Sequence, residues 1–288
     1  MTGPRRGAGR QALTYGAAAV VFVWVAFPLL WLVKSSLSSE VEMAQPARLL
    51  PREPTLDFYR GLFTEVAGIA GGTGQERLIM PSLVNSTIVA VAVLVVNLAL
   101  GAPAGYALAR YRFPFRNGIL NGMLASRMVP SLALLVPMYL LFRNAGLVDS
   151  LLAVVIAHVA ITLPFTVWIL RGHFDGIPPE IEKAARVDGA TRLRVFRHVA
   201  LPLAVPGLVV AGLFAFMLSW NDFALALVLT ESVDSMTVQP ALAGLVSYQG
   251  TSYGFLFAGS VLAAIPPALV ALVLQRHLSE GLMEGSVK

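Results

Sequence analysis

The sequence predicts an all-α integral membrane protein with six transmembrane helices and both termini cytoplasmic. Three observations predict it. Of the 288 residues, 57% are hydrophobic and 13% charged, with a mean hydropathy of +0.73, whereas soluble domains carry about 25% charge and about 45–50% apolar residues. Six segments stay apolar over the roughly 20 residues that a helix needs to cross a bilayer. Basic residues crowd onto alternate connections between those segments. Such a composition excludes a disordered chain, a nucleic-acid-binding domain and most soluble enzymes. The absence of cysteine excludes disulfides, zinc–thiolate and iron–sulfur sites, and thiol nucleophiles. The four histidines stand singly, without metal-ligand spacing.

The expected spans are Ala12–Val33, Thr87–Ala109, Gly118–Phe142, Leu151–Leu170, Leu201–Leu229 and Phe255–Leu274. Only two contain a charge, Arg127 in the third and Asp222 in the fifth. Backbone groups in lipid must pair internally, and no ten-residue alternation marks an outer-membrane barrel, so the spans read as helices. The segments assigned to the inside hold fourteen Lys and Arg against six outside, which places both termini in the cytoplasm. Arg5 and Arg6 precede a first run too long, and without a clear cleavage site, for a secretory signal. The organisation is therefore a cytoplasmic segment 1–11, a six-helix domain 12–274 with a cytoplasmic loop 171–200, and a cytoplasmic tail 275–288.

The longest polar stretch, Lys34–Ser86, contains Pro46, Pro51 and Pro54, and Gly71, Gly72 and Gly74 mark a flexible tip. Within it Leu56–Phe63 reads as a short amphipathic helix at the outer surface, with Phe58, Tyr59 and Phe63 suited to the interface. The pairs Gly101/Gly105 and Gly118/Gly122 would each permit close helix packing. Prolines at 28, 103, 130, 137, 164, 206, 266 and 267 should kink several spans, which suits a bundle that opens and closes around a cavity.

The most informative stretch is Gly176–Gly207, GIPPEIEKAARVDGATRLRVFRHVALPLAVPG. Pro178 and Pro179 suit a helix start, and Glu180 and Glu182 favour the positive end of its dipole. At about 100° per residue Ile181, Ala184, Ala185 and Asp188 share one face, while Glu182, Lys183 and Arg186 lie towards the other. Glu182 and Arg186 stand at i, i+4 spacing. Gly189 fits the stop, and Thr191 can cap a second, basic helix carrying Arg192, Arg194 and Arg197. The short helix either docks another protein through its small-residue face or lies on lipid. Ala184 and Ala185 bury too little area to make a strong lipid anchor.

Lys183-Ala184-Ala185, Gly189, Val199 and Leu201-Pro202 match the spacing EAA–x3–G–x9–I–x–LP, with Lys183 at the motif's Glu and Val199 at its Ile. This loop resembles the signature of permease subunits in bacterial ATP-binding-cassette (ABC) importers. EKAARVDGAT resembles their carbohydrate branch. Further similarities lie in Ser82–Thr87, Gly105–Arg116, Met128–Phe142, Ser219–Leu227 and Gln275–Lys288, and the whole pattern is similar to the maltose-permease-G-like group. The resemblance implies a type I ABC importer permease fold in the bacterial plasma (inner) membrane. It implies a second homologous permease subunit, two cytoplasmic ATPase subunits and an extracytoplasmic solute-binding protein as partners, besides the lipid bilayer. Glu182, Lys183, Ala184, Ala185, Asp188 and Gly189 would couple to the ATPase subunits. No GxxxxGK[ST] loop occurs, so this chain would bind no cofactor, and ATP and Mg would sit in the partner ATPases.

Candidates for the substrate pathway are Trp220, Asn221, Asp222 and Arg127. A charge in a membrane helix is costly and marks a functional or paired position. Carboxylate beside aromatic suits sugar recognition, and a structural ion pair or cap is the competing role for Asp222. Arg127 is a candidate counter-charge, offset along the helix axes. His158 reads as a satisfied bundle histidine, and Asn85 and Asn97 as weaker candidates. The function expected is a permease for sugar, with the same architecture importing glycerol phosphate or a polyamine as the alternative. An intramembrane enzyme would need a convergent catalytic set, and an ion-coupled transporter buried carboxylates and internal repeats; neither pattern occurs.

Overall fold

A computed structural model of the chain describes residues 8–43, 50–63, 75–247, 250–251 and 253–284. Arg5, Arg6, Pro46, Gly71, Gly72, Gly74 and Lys288 lie outside the described residues. In chain order the helices are α1 (Ala8–Ser36), α2 (Glu40–Met43), α3 (Asp57–Phe63), α4 (Ile79–Arg110), α5 (Arg116–Ser126), α6 (Ser131–Asn144) and α7 (Leu151–Gly176). They continue as α8 (Pro179–Val187), α9 (Arg192–Val195), α10 (Leu201–Leu203), α11 (Val205–Trp220), α12 (Ala224–Leu229), α13 (Val238–Gly244) and α14 (Tyr253–Glu284). A single wide π-turn, Phe196–Ala200, joins α9 to α10, with the Leu201 amide reaching back to the Phe196 carbonyl. Val246–Ser247 and Gly250–Thr251 pair antiparallel, a small strand element the sequence did not announce.

Among the described residues four helices are long and apolar enough to cross a membrane unbroken, or up to six if each of two bent pairs counts as one span. The third expected span is α5 and α6, bent by 95°. The break falls at Arg127–Pro130, where Pro130, in extended backbone, has no amide hydrogen to continue the helix. Bending by 75° also separates Arg192–Leu203 from α11, at Ala204 before Pro206. The expected fifth span, Leu201–Leu229, is thus three helices, with a second interruption between Trp220 and Ala224.

One compact unit comprises residues 1–77 and 244–262. Its α1 is apolar around its whole circumference, with Leu13, Phe22, Trp24 and Leu30 all exposed, which only hydrocarbon or another apolar surface can satisfy. The helix expected over Leu56–Phe63 forms as α3, yet its aromatics are not all interfacial. Phe58 is buried edge-on against Phe255, 5.3 Å between centroids, and the Tyr59 hydroxyl hydrogen-bonds Ser36 Oγ at 2.7 Å. Only Phe63 of the three is exposed. Gly254 permits this packing, because a side chain there would overlap the Phe58 ring.

The second unit, residues 78–243 and 263–288, is built on α4, α7 and α11. Added Cβ atoms show why α4 carries glycines: at Gly101 one would lie 2.7 Å from Thr166 Cγ2, and at Gly105 3.0 Å from the Arg171 amide of α7. The second pair behaves differently, since Gly122 has nothing within 4 Å and Gly118 only Phe115 of its own turn. Polar bonds reinforce the α4–α7 seam. Asn97 Nδ2 donates to Thr162 Oγ1 at 2.9 Å, and Thr166 Oγ1 donates to Asn97 Oδ1 at 3.1 Å, satisfying buried groups that lipid could not. Asn85 ties α4 to the Val233 and Met236 carbonyls, so both asparagine amides are held by bonds within the chain.

Candidate functional site

Two places gather the residues singled out by the sequence. The first is α8. Pro179 starts it, and its C-terminus is a Schellman motif, with Gly189 N donating to Arg186 O at 3.1 Å and Ala190 N to Ala185 O at 3.0 Å. Gly189 takes φ +86°, where a Cβ would strain the backbone. Thr191 Oγ1 caps α9 by accepting from Arg194 N at 3.4 Å. Ile181, Ala184, Asp188 and Gly189 are exposed, Ala185 half-buried, and Lys183 solvated beside Glu180 at 3.8 Å. Val187 adds an apolar side chain that is 87% exposed, which the face count from sequence overlooked.

Glu182 departs from the expected arrangement. It is buried while Lys183 and Arg186 are exposed, and its ion-pair partner is Arg110 of α4, not Arg186 four residues on. Arg110 Nε donates to Oε1 at 2.7 Å, the Tyr106 hydroxyl donates to Oε2 at 2.7 Å, and Arg110 Nη2 donates to the Ile177 carbonyl at 2.8 Å. Tyr106 itself packs between Phe174 and Phe196, at 5.4 and 4.9 Å between centroids. Tyr106 and Arg110 stand 76 and 72 positions from Glu182, which local periodicity cannot register.

The second place is a cavity of about 440 Å³ where the third and fifth spans are interrupted. Arg127, Ser131, His158, Thr162, Ser219 and Asp222 give it a polar side, and Met128, Val129, Leu134, Met138 and Leu218 an apolar one. Arg127 and Asp222 thus line one chamber, although Arg127 Nη1 is spent on the Ile161 carbonyl at 2.9 Å. The group facing Asp222 is His158, with Nε2 3.3 Å from Oδ1 and Nδ1 2.8 Å from Ser219 Oγ. Asp222 Oδ1 also accepts from the Leu225 and Ala226 amides at 3.0 and 3.2 Å, which makes it the cap of α12. Trp220 does not line the chamber: it is buried and stacked on Phe216 at 5.7 Å. Asn221 Nδ2 turns back to the Met217 carbonyl at 2.8 Å. Among the described residues no three His, Asp or Glu converge as metal ligands would.

Asp149, in the α6–α7 connection, anchors the loop after α12. The Ser235 hydroxyl and the Ser232 and Glu231 amides all donate to Oδ1, holding the carboxyl well below the usual carboxylate range.

A sequence profile for binding-protein-dependent transport system inner membrane components matches residues 100–283. The trehalose transport system permease protein SugB of Mycobacterium tuberculosis is 33% identical over 97% of this chain and 99% of its own. The diacetylchitobiose uptake system permease protein DasC of Streptomyces coelicolor is 31% identical over 94% of this chain and 95% of its own. Among solved structures, a chain of a bacterial ABC transporter involved in the import of the acidic polysaccharide alginate superposes with a TM-score of 0.77 at 22% identity, covering 95% of this chain and 99% of that one. The bent spans, the projecting α8 and full-length relatives agree, and the chain belongs to the binding-protein-dependent transport system inner membrane components, with an ABC importer permease fold.

Proposed function

We propose that this protein is the transmembrane permease subunit of an ATP-driven sugar importer. It forms half of the translocation path and has no catalysis of its own. Both relatives cited are sugar permeases by name and align along nearly their whole length, which supports sugar over glycerol phosphate or a polyamine. Hydrolysis of ATP, with its Mg, belongs to two cytoplasmic ATPase subunits. A second homologous permease completes the path, and an extracytoplasmic solute-binding protein delivers the sugar. Both termini lie in the cytoplasm.

The observation that carries this reading is α8, which offers small and apolar side chains on a surface that none of the described elements covers. An exposed valine and isoleucine beside alanines suit a protein groove. Closure of the ATPases then rocks the bent bundle as a rigid body. The chamber between Arg127 and Asp222 is this subunit's share of the path, its polar side addressing hydroxyls and its methionine and leucine side the apolar faces of the sugar rings. The chain has no cysteine, so Ala185→Cys gives a unique cross-linking site. Cross-linking of this variant to a co-purifying ATPase, with uptake of labelled disaccharide by proteoliposomes, is the expected result. Labelling of Ala185→Cys by lipid-phase reagents alone would refute it.

A further inference from the structure

We propose that Glu182 is a positioning residue which, with Tyr106 and Arg110, locks α8 onto the end of α4, so that α8 and the α4–α7 pair move as one body. The proposal rests on α8 being the ATPase-facing helix. Covalently, α8 hangs from α7 by Ile177 and Pro178, both in extended backbone with ψ near 124°. Such a link is a pivot: a push on a nine-residue helix would rotate it about Ile177 rather than displace the bundle. The lock closes that pivot from two sides. Glu182 joins the first turn of α8 to α4 through both carboxylate oxygens, and Arg110 Nη2 holds the Ile177 carbonyl within the link itself.

The surroundings make the lock stiff. Arg110 and Glu182 side chains are only 14% and 11% exposed, so solvent and salt screen the pair weakly. Tyr106 is wedged among Phe174, Phe196 and Tyr111, the last at 6.2 Å, which fixes the ring that carries the donating hydroxyl. Taking away one partner leaves the other charge buried and unpaired, so the arrangement holds or fails as a unit. The receiving helix is continuous over 32 residues and is seated on α7 through Gly101 and Gly105. Force entering at α8 therefore reaches the α4–α7 seam through side chains and not through the backbone link alone. Arg192 of α9 extends the stack, its guanidinium lying over the Tyr111 ring at 5.5 Å.

Two exposed positions report on the lock, Arg186 on α8, outside its small and apolar face, and Gly172 on α7, where an added Cβ meets nothing within 4 Å. Spin labels on Arg186→Cys and Gly172→Cys, in the purified importer complex in nanodiscs, measure the α7–α8 distance distribution by pulsed EPR. A single narrow distribution is expected, broadening at least twofold in Glu182→Gln and in Tyr106→Phe. Arg110→Lys, which keeps the charge, should recover part of the sharpness. In proteoliposomes, solute moved per ATP hydrolysed should fall at least threefold in Glu182→Gln at equal ATPase content. If Glu182→Gln does not assemble, Tyr106→Phe, which deletes a single hydroxyl, carries the test. An unchanged width in the variants, even with lowered thermal stability, overturns the lock. Absence of an Ala185→Cys cross-link to ATPase in the otherwise unaltered complex overturns instead the docking role of α8, leaving the distance measurement to stand or fall by itself.

Discussion

Replacing Asp222 separates its role as a cap from any role of its charge. In Asp222→Ala the Leu225 and Ala226 amides, at 3.0 and 3.2 Å from Oδ1, lose their acceptor in an apolar setting. Each buried donor left unsatisfied costs about 1–3 kcal/mol. The side chain is 23% exposed towards the chamber, so water recovers part of that loss and the total comes to about 2–4 kcal/mol. Asp222→Asn keeps an oxygen for both amides, and asparagine caps as well as aspartate. What it loses is the charge 3.3 Å from His158, worth roughly 1 kcal/mol. Unfolding of each variant in nanodiscs, followed by tryptophan fluorescence, measures the difference, and uptake is assayed in parallel. Asp222→Asn should transport near the unaltered rate while Asp222→Ala is clearly less stable. Equal destabilisation in both would refute the cap, and loss of uptake in a stable Asp222→Asn would assign transport to the carboxylate charge.

The other expectations are as sharp. Ala185→Arg or Gly189→Val should insert normally yet lower uptake at least tenfold, as membrane-fraction blots and transport assays would show; at Gly189 the left-handed backbone adds about 1–2 kcal/mol of local strain. Gly105→Leu, forced against the Arg171 amide and Leu170, should destabilise by about 1–3 kcal/mol, whereas Gly122→Leu should stay within about 0.5 kcal/mol; thermal midpoints measure both. The Asp149 carboxyl, depressed in the folded chain, contributes its full stability above its ordinary pKa of about 3.9 and loses it as pH falls towards the lower folded value. Asp149→Asn should therefore flatten the acid limb of an unfolding profile without altering its shape near neutrality.

What the sequence made legible was local. Apolar runs of the right length announced the spans because lipid leaves a helix no polar alternative, and Pro179, Gly189 and Thr191 ended or began α8 and α9 through backbone constraints confined to a few residues. Identical glycine spacing told less. Gly101/Gly105 is a seam and Gly118/Gly122 is open, because spacing permits an approach and only the fold supplies a neighbour. Charge pairing failed for the same reason. Glu182 had a plausible partner four residues on and found a better one on α4, and the neighbour of Asp222 was His158 on α7, not Arg127. Prolines marked where helices could yield, yet Pro103 and Pro164 sit inside unbroken α4 and α7, while Pro130 and Pro206 stand at breaks.

The π-turn at Phe196–Ala200 holds one more residue than an α-helical turn of the same height would need. That surplus sets the azimuth of the arginines on α9 against buried Ala200 and everything downstream. Shortening the turn by a single residue would regularise the helix and swing Arg192 about 100° around its axis, away from the Tyr111 ring it now covers at 5.5 Å. A lone deletion between Phe196 and Ala200 should thus harm this protein more than many substitutions, by re-aiming a surface rather than unfolding one.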